Sequence, residues 1–188
     1  MQDVPETARL RFRRFTESDV DHLVALDGDP AVMRYLDTGK PHTRAQVEGE
    51  TLPAILTGYR DGGGHWAAIE RATGAFVGWG ELSFVGFCTY EVGYRILREN
   101  WGEGYATEIT EALLRKAFDD LKADRVIATT MAVNAGSRRV MEKAGLRYVR
   151  TFHVNWPDPI PGTEHGEVEY AIEAGQWRQR CAVAPGSS

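Results

Sequence analysis

A pair of glycines between a strand-like segment and a long amphipathic segment constrains the fold more than any other feature of the chain. Residues 89–97, "TYEVGYRIL", alternate as a strand does, and residues 106–122 place apolar side chains on one helical stripe. Gly102 and Gly104 lie between these two segments. Because glycine has no Cβ, this order leaves the N–H groups of a helix N-terminus open to an anion such as a phosphate.

Three interpretations of the glycine pair compete at this point. A dinucleotide fingerprint needs a third glycine at position 107, where the chain has Thr107. A P-loop needs a lysine after its last glycine, and Gly104 is followed by Tyr105. The third interpretation is a flexible loop that holds no ligand. The glycine pair alone does not decide among them.

The remaining segments supply strands and helices for one sheet. Turn signals and alternation predict strands at 8–15, 65–70, 75–82, 89–97, 125–133, 147–154 and 167–173. Helical patterns follow Thr16, cover 43–59 and 106–122, and begin again at Ser137 as N-cap, with Gly145 as the residue after the last turn. Short connections make the second to fourth strands an antiparallel meander, and the helical crossover makes 89–97 and 125–133 parallel neighbours. The sequence therefore predicts an α/β (α+β) fold, with a single mixed, mostly antiparallel sheet of about six to seven strands and helices on both faces.

Composition excludes several functional classes. With 43% hydrophobic residues the chain can bury a core, and a net charge of −5 argues against nucleic acid or an anionic membrane as partner. The two cysteines, Cys88 and Cys181, suggest neither a disulfide framework nor a metal site. No run approaches the ~18 apolar residues that cross a bilayer. We expect one cytoplasmic domain, residues 1–180, and a disordered tail, residues 181–188.

Two motifs in order resemble those of the GNAT superfamily, the CoA-dependent N-acyltransferases. Residues 101–106, "WGEGYA", match the acyl-CoA motif Q/R-x-x-G-x-G/A, with Trp101 in place of the usual Gln or Arg. Residues 134–146, "NAGSRRVMEKAGL", resemble N-x-x-S-x-x-V-x-x-K-x-G-[FL]. The segments "LRFRRFTESDVDHLVAL" and "EYAIEAGQW" resemble the branch of ribosomal-protein N-terminal acetyltransferases. The resemblance covers residues from about 9 to 178.

This resemblance implies acetyl-CoA as acyl donor and assigns residues to it. Backbone N–H groups of residues 102–107 would hold the pyrophosphate, with the Glu103 side chain turned to solvent. Residues 93–97 would lie along the pantetheine arm, and Gly93 would mark a bulge that separates the two central strands. Trp101 would pack on the pantetheine or on a neighbouring helix, and Asn134 would bond the pantetheine or the strand end. The implied CoA-binding residues are Gly93, Tyr94, Arg95, Ile96, Leu97, Gly102, Glu103, Gly104, Tyr105, Ala106, Thr107, Asn134 and Ser137.

Acyl transfer to an amine requires a deprotonated amine, a stabilised oxyanion and a stabilised leaving thiolate. The resemblance assigns the thiolate to the hydroxyl of Ser137, and Tyr148 is an alternative acid. Three routes to the deprotonated amine stay open. One is Glu81, whose pKa burial would raise; another is Glu91, which alternatively pairs with Arg95; the third is deprotonation through water.

The proline-rich stretch "NWPDPIPG" and the strand after it are expected to wall the acceptor pocket. Candidate acceptor-side residues are Trp156, Asp158, Glu164 and Glu167, since acidic groups suit an amine. The expected function is acetyl transfer from acetyl-CoA to a primary amine, either a protein N-terminus or a small molecule, by direct attack in a ternary complex. A longer donor such as succinyl-CoA, a non-catalytic acyl-CoA-binding or regulatory module, and a nucleotide-dependent oxidoreductase are the alternatives. Homodimers are common in the family, although no stretch of this chain requires one.

Overall fold

The structure is a computed structural model, and it describes residues 4–60 and 62–183. The strands are β1 (Leu10–Arg14), β2 (Gly64–Glu70), β3 (Phe76–Gly86), β4 (Thr89–Ile96), β5 (Arg125–Met131), β6 (Arg147–Phe152) and β7 (Glu167–Glu173). The α-helices are α1 (Val20–Asp27), α2 (Pro30–Met33), α3 (Arg44–Gln46), α4 (Leu52–Thr57), α5 (Tyr105–Arg115), α6 (Ala135–Lys143) and α7 (Ala174–Val183). Two π-helical turns, Val47–Thr51 and Lys116–Asp120, join α3 to α4 and extend α5.

The described strands form one sheet in the order β1-β2-β3-β4-β5-β7-β6. Every neighbouring pair is antiparallel except β4 and β5, which run parallel because α5 carries the chain back between them. The predicted mixed, mostly antiparallel sheet is therefore confirmed, as is the parallel pair at its centre.

Each face of the sheet packs on its own set of helices, since alternate side chains of a strand point to opposite faces. The face that packs on α5, α6 and α7 is called the α5 face, and the face that packs on α1 and α4 is called the α1 face. Gly80 of β3 allows α5 to lie close, because a Cβ there would stand 2.5 Å from Cγ2 of Ile109. The α5 face buries, among others, Leu82, Val92, Val126, Ile109, Leu113 and Met141, and the α1 face buries Ala67, Trp79, Leu23, Leu26 and Ile55.

The start of α6 corrects one prediction. Asn134, and not Ser137, is the N-cap, and its side chain accepts a hydrogen bond from Ser137 N at 3.2 Å. Asn and Ser are both good N-cap residues, so the helix begins at the first of two suitable residues that stand three positions apart. Gly145 follows the last turn with a φ of +96°, which confirms its predicted place.

The C-terminal end of the described chain corrects the predicted start of the disordered tail. Helix α7 runs to Val183, so residues 181–183 of the predicted tail are helical, and residues 184–188 lie outside the described residues. None of the helices within residues 4–60 and 62–183 combines the length and the apolar character that crossing a bilayer requires.

Candidate active site

The glycine loop leaves the N-terminus of α5 bare. Gly102 and Gly104 have φ angles of +85° and +84°, in the left-handed region that favours glycine, and Gly104 is the N-cap of α5. Because Gly104 has no side chain, it cannot cap the N–H groups of the first turn, which have no acceptor within the helix. Among the described residues, no atom beyond its chain neighbours comes within 4 Å of the position that a Cβ on Gly102 would occupy. Glu103 is exposed. The loop thus offers open backbone donors at the positive end of a helix dipole.

Trp101 closes the end of the preceding strand. Its indole N–H donates to the carbonyl of Ile96 at 2.9 Å, while 50% of the residue stays exposed. The side chain therefore satisfies a carbonyl at the last residue of β4.

The central strands separate directly before this loop. The β4–β5 ladder contains three residue pairs and ends at Glu91 and Ile127, whereas β4 continues to Ile96 and β5 to Met131. Beyond the last pair the two strands no longer pair with each other, and their facing edges enclose an opening. The predicted separation at Gly93 is present, but the predicted bulge is wrong, because Gly93 pairs with Glu81 of β3 in regular register.

Glu81 lies at this opening on the α1 face. A Cβ on Gly93 would stand 3.4 Å from the Glu81 Oε2, so the carboxylate lies over the glycine. Ser83 Oγ donates to Glu81 Oε1 at 2.6 Å, and His65 Nε2 lies 3.3 Å from Oε2. Burial raises the pKa of Glu81, but the hydrogen bonds from His65 and Ser83 and the charge of Arg95 outweigh it, so the net pKa is lowered. The predicted rise of the pKa is therefore wrong.

Glu91 and Arg95 do not form the ion pair that the sequence suggested. Thr129 Oγ1, two residues beyond the last β4–β5 pair, donates to Glu91 Oε1 at 2.6 Å. Arg95 Nη1 instead lies 2.5 Å from Oδ1 of the buried Asp27 at the end of α1, and its guanidinium stacks over the Trp79 ring at 5.1 Å. The Arg95 side chain is thus committed to the α1 face.

Ser137 lies on the other side of the opening, in the first turn of α6. The hydroxyl of Tyr94, on β4, is 2.8 Å from the Ser137 Oγ and 3.1 Å from its carbonyl oxygen. Asn134 Nδ2 donates to Thr130 Oγ1 at 3.1 Å, so its side chain bonds the strand end, one of the two predicted partners. Tyr148 is 53% exposed on edge strand β6, and β7 lies between β6 and β5, which separates Tyr148 from the opening.

Comparison with known proteins places the chain in a family. The family model described as "Acetyltransferase (GNAT) domain" matches residues 9–147. The chain belongs to the GNAT acetyltransferase family. Because its relatives are named N-acetyltransferases, the protein is an acyltransferase.

Two relatives are similar to this chain over most of its length. The FsC-acetyl coenzyme A-N(2)-transacetylase of Aspergillus fumigatus is 35% identical over 186 residues, covering 94% of this chain and 78% of the relative. The uncharacterized N-acetyltransferase YnaD of Bacillus subtilis is 28% identical over 173 residues, covering 91% of this chain and 97% of the relative.

Solved GNAT structures share the fold. The acetyltransferase from Bacillus anthracis has a TM-score of 0.76 at 26% identity and covers 90% of this chain and 98% of its own. The spermidine N-acetyltransferase from Vibrio cholerae, solved with CoA and spermine, has a TM-score of 0.75 at 15% identity and covers 92% of this chain and 99% of its own. This second likeness concerns the fold alone.

The predicted acceptor residues of this GNAT chain have different surroundings. Trp156 is half-buried and Asp158 is exposed. The carboxylate of Glu164 accepts the N–H of Gly162 at 2.8 Å, so it stabilises a turn of its own loop. Glu167 is buried opposite Met131 near the end of β5, and burial raises its pKa. Of the four, Glu167 lies on the strand next to the opening.

Sequence reasoning missed a brace that holds the glycine loop. Arg9 Nη1 donates to the carbonyl of Glu103 at 3.0 Å, Arg9 Nε donates to Glu108 Oε2 at 2.8 Å, and the guanidinium lies 4.3 Å from the centre of the Tyr105 ring. Burial raises the pKa of Glu108, but hydrogen bonds from Thr7 and Arg9 outweigh it and lower the pKa. No local sequence pattern predicts this contact, because Arg9 and Glu108 are 99 positions apart.

Proposed function

We propose that the protein transfers the acetyl group of acetyl-CoA to a primary amine, by direct attack within a ternary complex. The observation that carries the proposal is the position of the β4–β5 opening directly before the bare N-terminus of α5. An opening between two strand edges accepts an extended chain with amide groups, as an added strand would be accepted. A helix N-terminus accepts a phosphate at the end of such a chain.

The donor side follows from these two features. Acetyl-CoA supplies an acyl group activated as a thioester. Backbone groups of residues 93–97 hold the pantetheine amides, and the N–H groups of residues 102–107 hold the pyrophosphate. A surface groove of about 630 Å³ beside Gly104 and Thr107 is lined by Arg115 and Lys143 but also by Glu6, Glu108 and Glu111, so the backbone N–H groups, and not a net positive charge of the groove, carry the proposed phosphate site. Arg95 contributes its backbone only, since its side chain pairs with Asp27.

The acceptor side lies on the α1 face. Glu81 is ionised at neutral pH, and its lowered pKa keeps it so, which suits the attraction of a cationic amine. It is also the proposed acceptor of the proton that the amine must lose, although the lowered pKa makes it a weaker base than a carboxylate with a raised pKa. Its carboxylate lies over Gly93, the first β4 residue of the opening that shares its face. Glu91 and water remain the competing routes, and substitutions described below separate them.

The name of the Aspergillus fumigatus relative supports acetyl as the acyl group and a nitrogen as the acceptor. A protein N-terminus and a small-molecule amine both fit this chemistry, and assignment to the ribosomal-protein branch stays a prediction. The acceptor panel therefore needs peptides with free N-termini, amino acids, polyamines and aminoglycosides.

Thermal unfolding with added ligands tests the donor. Acetyl-CoA and CoA are expected to raise the Tm, since a ligand at 100 times its Kd adds about 2.7 kcal/mol to the free energy of unfolding. NAD is expected to leave the Tm unchanged. A Tm unaffected by every CoA ester would refute the proposal.

Release of free CoA thiol then tests the reaction, with acetyl-CoA and succinyl-CoA as donors against the acceptor panel. We expect release from acetyl-CoA that depends on an added amine. The variant Ser137→Ala should still bind acetyl-CoA but release thiol more slowly. Faster release from succinyl-CoA would reassign the donor, and binding without release for any amine would contradict the transferase proposal.

A further inference from the structure

Tyr94 joins the two sides of the β4–β5 opening. It projects from β4 on the α5 face, and its hydroxyl reaches the first turn of α6, which follows β5. The hydroxyl lies 2.8 Å from Ser137 Oγ and 3.1 Å from Ser137 O. A single Tyr94 proton therefore faces two acceptors on the same residue.

The choice between the two acceptors decides what the serine hydroxyl can do. If Tyr94 donates to the carbonyl, the Ser137 proton points back to Tyr94 and is lost to any ligand. If Tyr94 donates to Oγ, the Ser137 proton is free to point into the opening. The carbonyl of Ser137 lies within α6, where the helix ladder supplies its own donor, and Oγ is the nearer atom. A negative charge in the opening favours the second arrangement further, since hydrogen bonds to charged groups are shorter and stronger.

We propose that Tyr94 is a positioning residue, which donates to Ser137 Oγ and thereby directs the serine proton to the sulfur of the leaving CoA thiolate. This inference rests on the proposed function. The amine nitrogen forms a bond to the thioester carbon, and the C–S bond breaks with its electron pair going to sulfur. The proton that nitrogen releases balances the thiolate charge, so the products are the amide and free CoA thiol. Tyr94 and Ser137 keep their own protons throughout.

The protonation of Tyr94 suits a permanent donor. Burial raises the pKa of Tyr94 to about 12, and the hydrogen bond with Ser137 lowers it by less than burial raises it. The phenol therefore keeps its proton at neutral pH. Because the chain Tyr94–Ser137–sulfur strengthens only as negative charge develops on sulfur, it favours the transition state over the bound substrate.

The pKa of the thiol of bound CoA tests this chain without any acceptor. Thiolate absorbance in the ultraviolet is titrated for CoA bound to the wild type, to Tyr94→Phe and to Ser137→Ala, with desulfo-CoA as the blank. Both variants are expected to raise the pKa of the bound thiol by about 0.5 to 1 relative to the wild type, the equivalent of one hydrogen bond.

Tyr170→Phe is the matched control. Tyr170 is also buried, and its hydroxyl also contacts α6, where it donates to Glu142 and accepts from Arg138. Its loss should perturb α6 without changing the thiol. A thiol pKa in Tyr94→Phe equal to the wild-type value, or equal to that in Tyr170→Phe, would overturn the proposal.

Kinetics with acetyl-CoA and the best amine supply a second readout. Tyr94→Phe is expected to lower kcat about tenfold with little change in the KM for acetyl-CoA. The double variant Tyr94→Phe/Ser137→Ala should match Ser137→Ala within about twofold, because Tyr94 acts through Ser137. A double variant slower by the product of both single effects would show an independent role and refute the proposal.

The two proposals fail in different ways. A shifted thiol pKa with no amine acetylated supports Tyr94 and contradicts the acceptor chemistry. Acetylation of an amine with an unshifted thiol pKa supports the acceptor chemistry and contradicts the role of Tyr94. CoA that does not bind at all refutes both.

Discussion

At the scale of single residues, two carboxylates near the opening have opposite electrostatic surroundings. Hydrogen bonds from His65 and Ser83 hold the pKa of Glu81 below its usual range, although burial opposes them. The pKa of Glu167 is raised by burial. Glu81 therefore carries the negative charge that the proposed attraction of a cationic amine needs. Its contribution to stability is present above its ordinary pKa and is lost as the pH falls through the lowered value.

Substitution of Glu81 on β3 and of Glu91 on β4 distinguishes the three routes by which the amine could lose its proton. We expect Glu81→Gln to lower kcat/KM by about 10² or more and Glu91→Gln to lower it less than fivefold, because only Glu81 lies over Gly93. Since Glu81 is ionised at every pH above its lowered pKa, its loss should cost the same factor at pH 6 and at pH 9. Comparable losses in both variants would implicate both carboxylates, and little loss in either would indicate deprotonation through water.

At the scale of elements, the N-terminus of α5 is the part of the site that the sequence predicted best. Its strand, glycine pair and helix are adjacent along the chain, so local rules suffice to place them. The brace by Arg9 and Glu108 and the contact of Tyr94 with Ser137 join residues 99 and 43 positions apart. Such pairs depend on which strands become neighbours and on where α6 packs, which no local pattern specifies.

Gly102 allows the ligand role of the glycine loop to be separated from its backbone role. Gly102→Ala is expected to weaken CoA binding at least tenfold, since the new methyl group enters the space left for the ligand. Gly74→Ala is the matched control: Gly74 has a φ of +77°, its Cβ position is equally open, and it lies in the β2–β3 connection. Each variant should lose about 1 kcal/mol of stability from left-handed strain. Urea unfolding and calorimetry with CoA provide the two measurements, and equal CoA affinities in both variants would contradict a ligand at Gly102.

At the scale of the whole molecule, the sheet separates two helical layers. The opening lies between the layer of α5 and α6, which is the proposed donor layer, and the layer of α1 to α4, which is the proposed acceptor layer. Asp27 and Arg95 tie the acceptor layer to the sheet. Asp27 is the last residue of α1, where a negative charge opposes the helix dipole, and it is fully buried. The sequence suggested Glu91 as the partner of Arg95 because both lie on one face of β4, but α1 brings a carboxylate closer.

Loss of this buried charge should destabilise the protein far more than loss of a surface pair of the same length. Asp27→Asn removes the carboxylate that the largely buried Arg95 contacts and leaves only the more distant charge of Glu81, and we expect a decrease of about 3 kcal/mol or more in the free energy of unfolding. Asp21 and Arg44 also stand 2.5 Å apart, but the Asp21 side chain is 83% exposed, so Asp21→Asn should change nothing measurable. Adding Arg95→Met to Asp27→Asn should restore part of the loss, because it removes the uncompensated charge and keeps an apolar stem over Trp79. Urea midpoints of the four proteins decide the matter: a double variant less stable than Asp27→Asn would mean that packing of the guanidinium, and not its charge, ties α1 to the sheet.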